Sequence, residues 1–211
     1  ERKHHSRRIP LVGGWAMYLS VVMSFLWFYN LSFSFHDIIL LFAASLLVLT
    51  GSVDDRFDLS YKLRLAIQIF AACLIVYGSE IYVADLGNLL GFGIIGLGLF
   101  STVVTIWAVM GLVNAYNMID GIDGLAAGLG LVAISFAFIA TEGRIPVVES
   151  DLLLLMVGAL SAYLIFNLDI FPKWLPKIFM GDAGSMLLGF AIAVIMVRYS
   201  QGVERSLWPI T

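Results

Sequence analysis

The chain has 211 residues, of which 61% are hydrophobic and 13% charged, and its mean hydropathy is +0.97. Soluble domains are roughly 45–50% apolar and about a quarter charged, so this composition excludes an ordinary soluble domain and indicates a polytopic membrane protein. The formal net charge of −3 says little, because the placement of the charges matters more than their sum; we expect no nucleic-acid partner. A single cysteine, Cys73, excludes a disulfide framework and a cysteine metal site.

Apolar segments of membrane-spanning character follow one another along the whole chain. They cover residues 12–30, 38–53, 65–83, 94–113, 124–140, 151–168 and 185–199. We therefore predict an all-α, multi-pass protein with about seven transmembrane helices, of which the fifth, rich in glycine and alanine, is the least clearly defined. We treat residues 1–211 as one membrane domain, and we expect it to be a fragment without the first helix and the C-terminal spans.

The distribution of basic residues predicts the orientation. With the N-terminus on one side, most of the twelve lysines and arginines fall in segments on that side. Because lysine and arginine are enriched in cytoplasmic loops, we expect a cytoplasmic N-terminus. Three acidic motifs that are far apart in sequence then lie on the same, cytoplasmic face, which predicts a site there.

The first motif follows the first two spans: Asp54 and Asp55 are adjacent, within DDRFD. Two neighbouring carboxylates repel each other unless a cation lies beside them, so the pair is typical of a Mg²⁺ and diphosphate site. Lys62 follows as a candidate phosphate ligand. Asp58 is more simply explained as a cap of the next helix.

The second motif is NAYNMIDGIDG, where four oxygen-bearing side chains recur at every third residue: Asn114, Asn117, Asp120 and Asp123. Steps of three keep them on one side of a helix, and such ligands suit a hard cation. A plain polar loop with a helix cap is the alternative, but a cap requires one such residue.

The third motif, FMGDAGS, places Asp182 between two glycines at the start of an apolar helix. Free N–H groups at a helix start attract phosphate, although the same pattern also fits a simple N-cap. The basic N-terminal run ERKHHSRR is either an anchor for anionic lipid head groups or, through Lys3 and His5, a phosphate-binding element.

Together, GSVDDRFDLS, NAYNMIDGIDGL and FMGDAGS resemble the polyprenyl-phosphate N-acetylhexosamine-1-phosphate transferase family (glycosyltransferase family 4) over essentially the whole chain. The resemblance implies that Asn117 and Asp182 are metal ligands and that Asp54, Asp55, Asp120 and Asp123 are catalytic. Arg2, Lys3 and His5 match the family's basic element. Lys62 and Asn114 are further candidates for substrate binding.

The resemblance further implies transfer of N-acetylglucosamine-1-phosphate from UDP-GlcNAc to undecaprenyl phosphate with release of UMP. Mg²⁺ (or Mn²⁺) would be the cofactor, and the site would lie at the cytoplasmic face of the inner membrane. The reaction would begin the synthesis of a surface polysaccharide such as O-antigen, common antigen or teichoic acid, and the protein could form a homodimer. The alternatives are a phospho-MurNAc-pentapeptide transferase of peptidoglycan synthesis, an intramembrane prenyltransferase and a cation-coupled transporter.

Overall fold

The computed structural model describes residues 9–28, 34–141, 145, 147–171 and 175–201. Within these residues the chain is all-α, and its only β-type pairing is an isolated bridge between Asp85 and Gly96. The helices in chain order are α1 (Gly13–Phe28), α2 (Phe35–Phe57), α3 (Tyr61–Gly78), α4 (Ser101–Ile119), α5 (Leu125–Thr141), α6 (Val147–Asn167) and α7 (Gly181–Ser200), with a 3₁₀ turn at Gly98–Phe100 before α4.

Within the part of the chain that the structure describes, five helical segments are long and apolar enough to cross a membrane: Phe35–Phe57, Tyr61–Gly78, Gly98–Ile119, Glu149–Asn167 and Gly181–Ser200. The apolar helices α1 and α5 are shorter, with 16 and 17 residues, against the ~20 residues that a full bilayer crossing needs. The prediction of an all-α polytopic membrane protein is confirmed. Two of the seven predicted spans are thus helices below the usual crossing length.

The outer surface of the helix bundle is largely apolar, as expected for a surface that faces lipid. Large apolar side chains are exposed on several helices, among them Trp27 at 81%, Trp107 at 75% and Met118 at 82%. A water-soluble monomer rarely leaves such an extent of apolar surface uncovered, whereas lipid tails cover it at no cost. The chain is therefore a multi-pass membrane protein.

Helix α7 forms the centre of the bundle. It packs against α1, α2, α4 and α5, and most of its side chains are buried. Glycines allow this close packing. A Cβ atom added to Gly51 of α2 would lie 2.4 Å from the backbone nitrogen of Ala183, and one added to Gly14 of α1 would lie 2.3 Å from that of Gly184. The N-terminal turn of α7 is therefore in backbone contact with two other helices.

Two helices extend beyond the apolar segments that predicted them. Helix α2 begins with a capping box formed by Ser34 and Asp37 and continues to Phe57, so the Asp54–Asp55 pair is helical. Helix α4 continues to Ile119 and includes Asn114 and Asn117. The sequence suggested that Asp58 caps the next helix, and this prediction is wrong. Asp58 ends α2 in the left-handed conformation, with φ of 52°, and Ser60 is the N-cap residue of α3.

Candidate active site

The three predicted acidic motifs meet at one end of the helix bundle. Asp54 and Asp55 lie in the last turn of α2, Asn117 in the last turn of α4, and Asp182 in the first turn of α7. Because successive helices run in opposite directions, these ends lie side by side. We call the group formed by Asp54, Asp55, Asn117 and Asp182 the acidic cluster.

Asn117 is the central polar group of the acidic cluster. Its amide nitrogen donates to Asp182 Oδ1 at 2.7 Å and to Ser185 Oγ at 3.0 Å. Its amide oxygen accepts a hydrogen bond from Arg64 Nη2 at 2.8 Å. The side chain thus joins α4 to α3 and α7. The structure brings together the two residues that were predicted to bind metal.

Asp54 is buried, with 6% exposure, and it is paired with a cation. Its Oδ1 accepts the backbone N–H of Leu59 at 2.8 Å, and its Oδ2 lies 2.6 Å from Arg64 Nη1. The same Arg64 nitrogen lies 3.8 Å from Asp182 Oδ2. A buried carboxylate is costly unless it is paired, and Arg64 supplies that charge.

Asp55 is exposed and caps a different helix. Its Oδ1 accepts the backbone N–H of Asp182 at 2.9 Å, so its negative charge lies at the positive N-terminus of α7. Gly181 makes this contact possible, because its φ is +70° and an added Cβ would lie 2.6 Å from Asp55 Oδ2. The glycine before Asp182 is thus required by the geometry of the site.

Asp120 and Asp123 lie in the loop between α4 and α5, beside the acidic cluster, because α4 ends at Ile119. The prediction that all four oxygen-bearing residues of this motif lie on one side of a helix is therefore wrong, and only Asn114 and Asn117 share α4. Burial, followed by the nearby charges of Asp182, Asp55 and Asp123, raises the pKa of Asp120 to about 7. Asp123 forms an ion pair with Lys177 at 2.5 Å. The two acids of this motif therefore have different surroundings, one crowded by negative charge and one paired.

The loop that carries these acids is held by a buried asparagine. Asn167, at the end of α6, accepts the N–H of Gly124 at 2.6 Å and donates to the carbonyl of Ile178 at 3.0 Å. It thereby fixes the loop after Asp123 and the segment that leads into α7 relative to each other.

The segment before α1 passes the site. The N–H of Phe179 donates to Pro10 O at 3.1 Å, and the N–H groups of Gly13 and Gly14 donate to the carbonyls of Phe179 and Met180 at 3.0 and 3.1 Å. Lys3 and His5, like Arg2, lie outside the described residues. Their assignment to phosphate binding stays a prediction.

Two predicted substrate ligands lie apart from the acidic cluster. Asn114 is one turn away from Asn117 and donates to Gln68 Oε1 at 2.7 Å. Lys62 is exposed, with its ammonium group 5.9 Å from the centre of the Tyr61 ring. Their roles in substrate binding stay predictions.

Among the described residues no group of three or more histidine, cysteine, aspartate or glutamate side chains is arranged to hold a metal ion. Asp182 and Asn117 nevertheless form an adjacent carboxylate and amide pair. Mg²⁺ is usually bound by one or two carboxylates, with waters and substrate phosphates completing its shell. The donor set of the acidic cluster fits such an ion.

Sequence reasoning did not assign Arg64, Lys177 or Asn167 to the site. Arg64 lies ten residues after Asp54, and only the folding of α3 back along α2 brings it to the acids. The basic character of the segment after DDRFD was a signal for it. Asn167 and Lys177 carried no motif.

The comparisons with known proteins identify the family of the chain. Residues 38–200 match the family described as glycosyl transferase family 4. A protein of Escherichia coli (strain K12) named undecaprenyl-phosphate alpha-N-acetylglucosaminyl 1-phosphate transferase is 37% identical over 216 residues, which is 100% of this chain and 56% of the relative.

Proteins of the same name from Yersinia pestis and Haemophilus influenzae are 36% and 37% identical over 100% of this chain. They are covered over 57% and 59% of their own lengths, so the chain spans somewhat more than half of the curated relatives it matches. The chain belongs to glycosyl transferase family 4, a family of sugar-phosphate transferases.

Proposed function

We propose that the protein containing this chain transfers N-acetylglucosamine-1-phosphate from UDP-GlcNAc to undecaprenyl phosphate and releases UMP. The relatives' names support this substrate pair. The observation that carries the proposal is the meeting of the three acidic motifs at the end of a membrane bundle, because a lipid phosphate and a water-soluble nucleotide sugar can meet only at the membrane surface. The same names favour this reaction over transfer of phospho-MurNAc-pentapeptide.

The side of the membrane is also a proposal. The basic residues of the chain favour a cytoplasmic N-terminus, and the site lies at the end of the bundle where α1 begins. We therefore place the site at the cytoplasmic face of the inner membrane, where UDP-GlcNAc is available. A cation-coupled transporter would instead carry its acids near the midplane of the membrane.

Asn117 and Asp182 are the residues that would hold Mg²⁺, or Mn²⁺ in its place. When bound, the ion neutralises charge on the diphosphate and on the departing UMP. Asp182 is oriented for this task by Asn117 and, through its backbone N–H, by Asp55. Lys177, which pairs with Asp123 beside the acidic cluster, and the exposed Lys62 would add positive charge for the phosphate groups.

The chemical step exchanges one phosphate bond for another. An oxygen of the lipid phosphate forms a bond to the phosphorus that carries the sugar, and the bond from that phosphorus to the UMP oxygen breaks. Since a phosphate monoester has its second pKa near 6, a base is needed only when a proton remains on the attacking oxygen. We assign Asp54 to this role and Asp55 to orienting it, and we assign Asp120 and Asp123 to positioning the nucleotide and the metal.

UMP release tests the proposal. The complete protein in detergent should produce UMP only when undecaprenyl phosphate, UDP-GlcNAc and Mg²⁺ are all present, and EDTA or Asp182→Ala should abolish it. Asp151→Ala, which removes an acid at the opposite end of the bundle, should leave it unchanged. No UMP from folded protein with any UDP-N-acetylhexosamine would contradict the proposal.

A further inference from the structure

The positive charge of Arg64 lies between the two carboxylates of the acidic cluster that face each other, those of Asp54 and Asp182. Arg64 Nη1 lies 2.6 Å from Asp54 Oδ2 and 3.8 Å from Asp182 Oδ2, and Arg64 Nη2 donates to Asn117 Oδ1 at 2.8 Å. A single guanidinium group thus contacts both acids that face each other and the amide between them. It offsets the repulsion that two close carboxylates would otherwise suffer.

These contacts use the oxygen atoms that a metal ion would require. The amide of Asn117 directs its nitrogen to Asp182 and Ser185 and its oxygen to Arg64. The reverse orientation would bring the amide nitrogen against the Arg64 donor, so the hydrogen-bond pattern determines the orientation. A metal ion at Asn117 Oδ1 would lie directly beside the positive Arg64 guanidinium, so the two cations repel each other and compete for this oxygen.

Arg64 is able to withdraw without unfolding the helix that carries it. Its side chain is 23% exposed and that of Asp182 is 32% exposed, whereas that of Asp54 is 3% exposed. The residue lies in the first turn of α3, next to the short connection from α2. A rotation of its long side chain toward the exposed side of the cluster is enough to break its contacts with Asn117 and Asp182.

We propose that Arg64 is the internal counter-ion of the acidic cluster and that a divalent cation competes with it for Asn117 and Asp182. The side chain holds the acids together before the metal binds, and the metal displaces it. The proposal depends on the proposed function only for the identity of the physiological metal. Arg64 is a positioning residue in this account, because it acts through the ligands of the metal.

Direct binding of Mn²⁺ to the complete protein in detergent, followed by the electron paramagnetic resonance signal of the free ion, tests the competition. Arg64→Gln should bind Mn²⁺ about tenfold more tightly than the unmodified protein, the factor that a loss of about 1.4 kcal/mol of competing interaction gives. Its melting temperature without metal should fall, and its rise on adding Mn²⁺ should be larger.

Two further variants sharpen this test. Arg56→Gln removes the same charge from the end of α2, where the guanidinium lies over the Phe57 ring. It should leave Mn²⁺ affinity within about twofold, because the Arg56 side chain is exposed and its charge is screened by water and salt. Arg64→Lys keeps the charge but cannot contact Asp54 and Asn117 in the same way. It should strengthen Mn²⁺ binding by less than Arg64→Gln does.

If Arg64→Gln and Arg64→Lys bound Mn²⁺ no more tightly than the unmodified protein, the proposal would be overturned. Arg64 would then organise the metal ligands instead of competing for them. UMP release by the unmodified protein, measured in parallel, tests the proposed function separately. Normal UMP release with unchanged Mn²⁺ affinity in the variants would reject the competition and leave the transferase assignment intact.

Discussion

Asn117 donates a hydrogen bond of 2.7 Å to Asp182, which lies 65 residues later in the chain. The contact joins the end of α4 to the start of α7 and places the amide and carboxylate of two separate motifs side by side. The same amide also contacts Arg64 and Ser185. A substitution of Asn117 would therefore break three contacts of the site at once.

We expect Asn117→Leu to fold and to lose at least about 100-fold in UMP release. Leucine preserves the volume of the side chain but cannot orient Asp182 or offer an oxygen to a metal, and loss of a preorganised polar contact at a reacting centre costs on the order of 100-fold or more. Met118→Leu, at the exposed neighbouring position, is the control. Near-normal activity of Asn117→Leu would show that Asn117 is not a metal ligand.

Close packing between α2 and α7 gives a second prediction. In Gly51→Ala the added methyl group would meet the backbone of Ala183 at 2.4 Å, so α2 must shift and carry Asp54 and Asp55 with it. Overpacking costs about 1–3 kcal/mol, and we expect a lower melting temperature together with reduced UMP release.

Gly128→Ala is the matched control for Gly51→Ala. Gly128 is also helical, but nothing lies within 4 Å of an added Cβ. Because alanine is the better helix former by about 1 kcal/mol, this variant should be as stable as the unmodified protein or more so. Equal behaviour of the two variants would show that the backbone contact at Gly51 does not control the site.

The pKa of Asp120 predicts how stability depends on pH. Burial, followed by the charges of Asp182, Asp55 and Asp123, raises this pKa to about 7. The folded protein therefore binds this proton more tightly than the unfolded chain, whose aspartates titrate near ~3.9. The stability that the protonated group provides is present in full below about pH 4 and is lost as pH rises toward about 7.

Asp120→Asn should remove this loss of stability at rising pH. In EDTA, its melting temperature relative to the unmodified protein should rise between pH 5 and pH 8, because asparagine carries no charge for the neighbouring acids to repel. Adding Mg²⁺ should reduce the difference at pH 8, since the ion screens the same charges. A difference that stays constant across this range would show that Asp120 is not the titrating group.

The role of Asp54 as a base has its own test in the pH dependence of Asp54→Asn. Since the lipid phosphate loses its second proton near pH 6, a base is unnecessary well above that value. If Asp54 accepts this proton, Asp54→Asn should keep substantial UMP release above pH 8 and lose it at pH 6. An equal loss at both values would instead assign Asp54 to holding Arg64.

Much of the fold could be predicted because hydropathy and helix length are strongly linked in a membrane. Helix α5 lies at Leu125–Thr141, close to its predicted segment at 124–140. The ends were harder, since Asp54 and Asn117 are polar and yet helical. Hydropathy alone ended both helices too early. The ion pair of Asp54 with Arg64 and the hydrogen bonds of Asn117 to Arg64 and Asp182 support the extra turn.

The acidic motifs could also be predicted to lie together, because alternating helices bring the ends of α2 and α4 and the start of α7 to one side. The residues that contact these motifs, Arg64 and Asn167, could not be predicted. Arg64 reaches Asp54 only through the return of α3, and Asn167 reaches Gly124 and Ile178 through hydrogen bonds to backbone atoms. Backbone contacts of this kind leave no residue pattern in a single sequence.

The most direct test of the central claim follows the phosphorus atom that carries the sugar. UDP-GlcNAc labelled with ³²P at its β-phosphate should be incubated with the complete protein, undecaprenyl phosphate and Mg²⁺. We predict that the label moves into the lipid fraction in equal amount to the UMP released, and that Asp182→Ala abolishes both. Label that stays in the aqueous phase as UDP while the sugar enters the lipid would contradict the account, because the protein would then transfer the sugar without its phosphate.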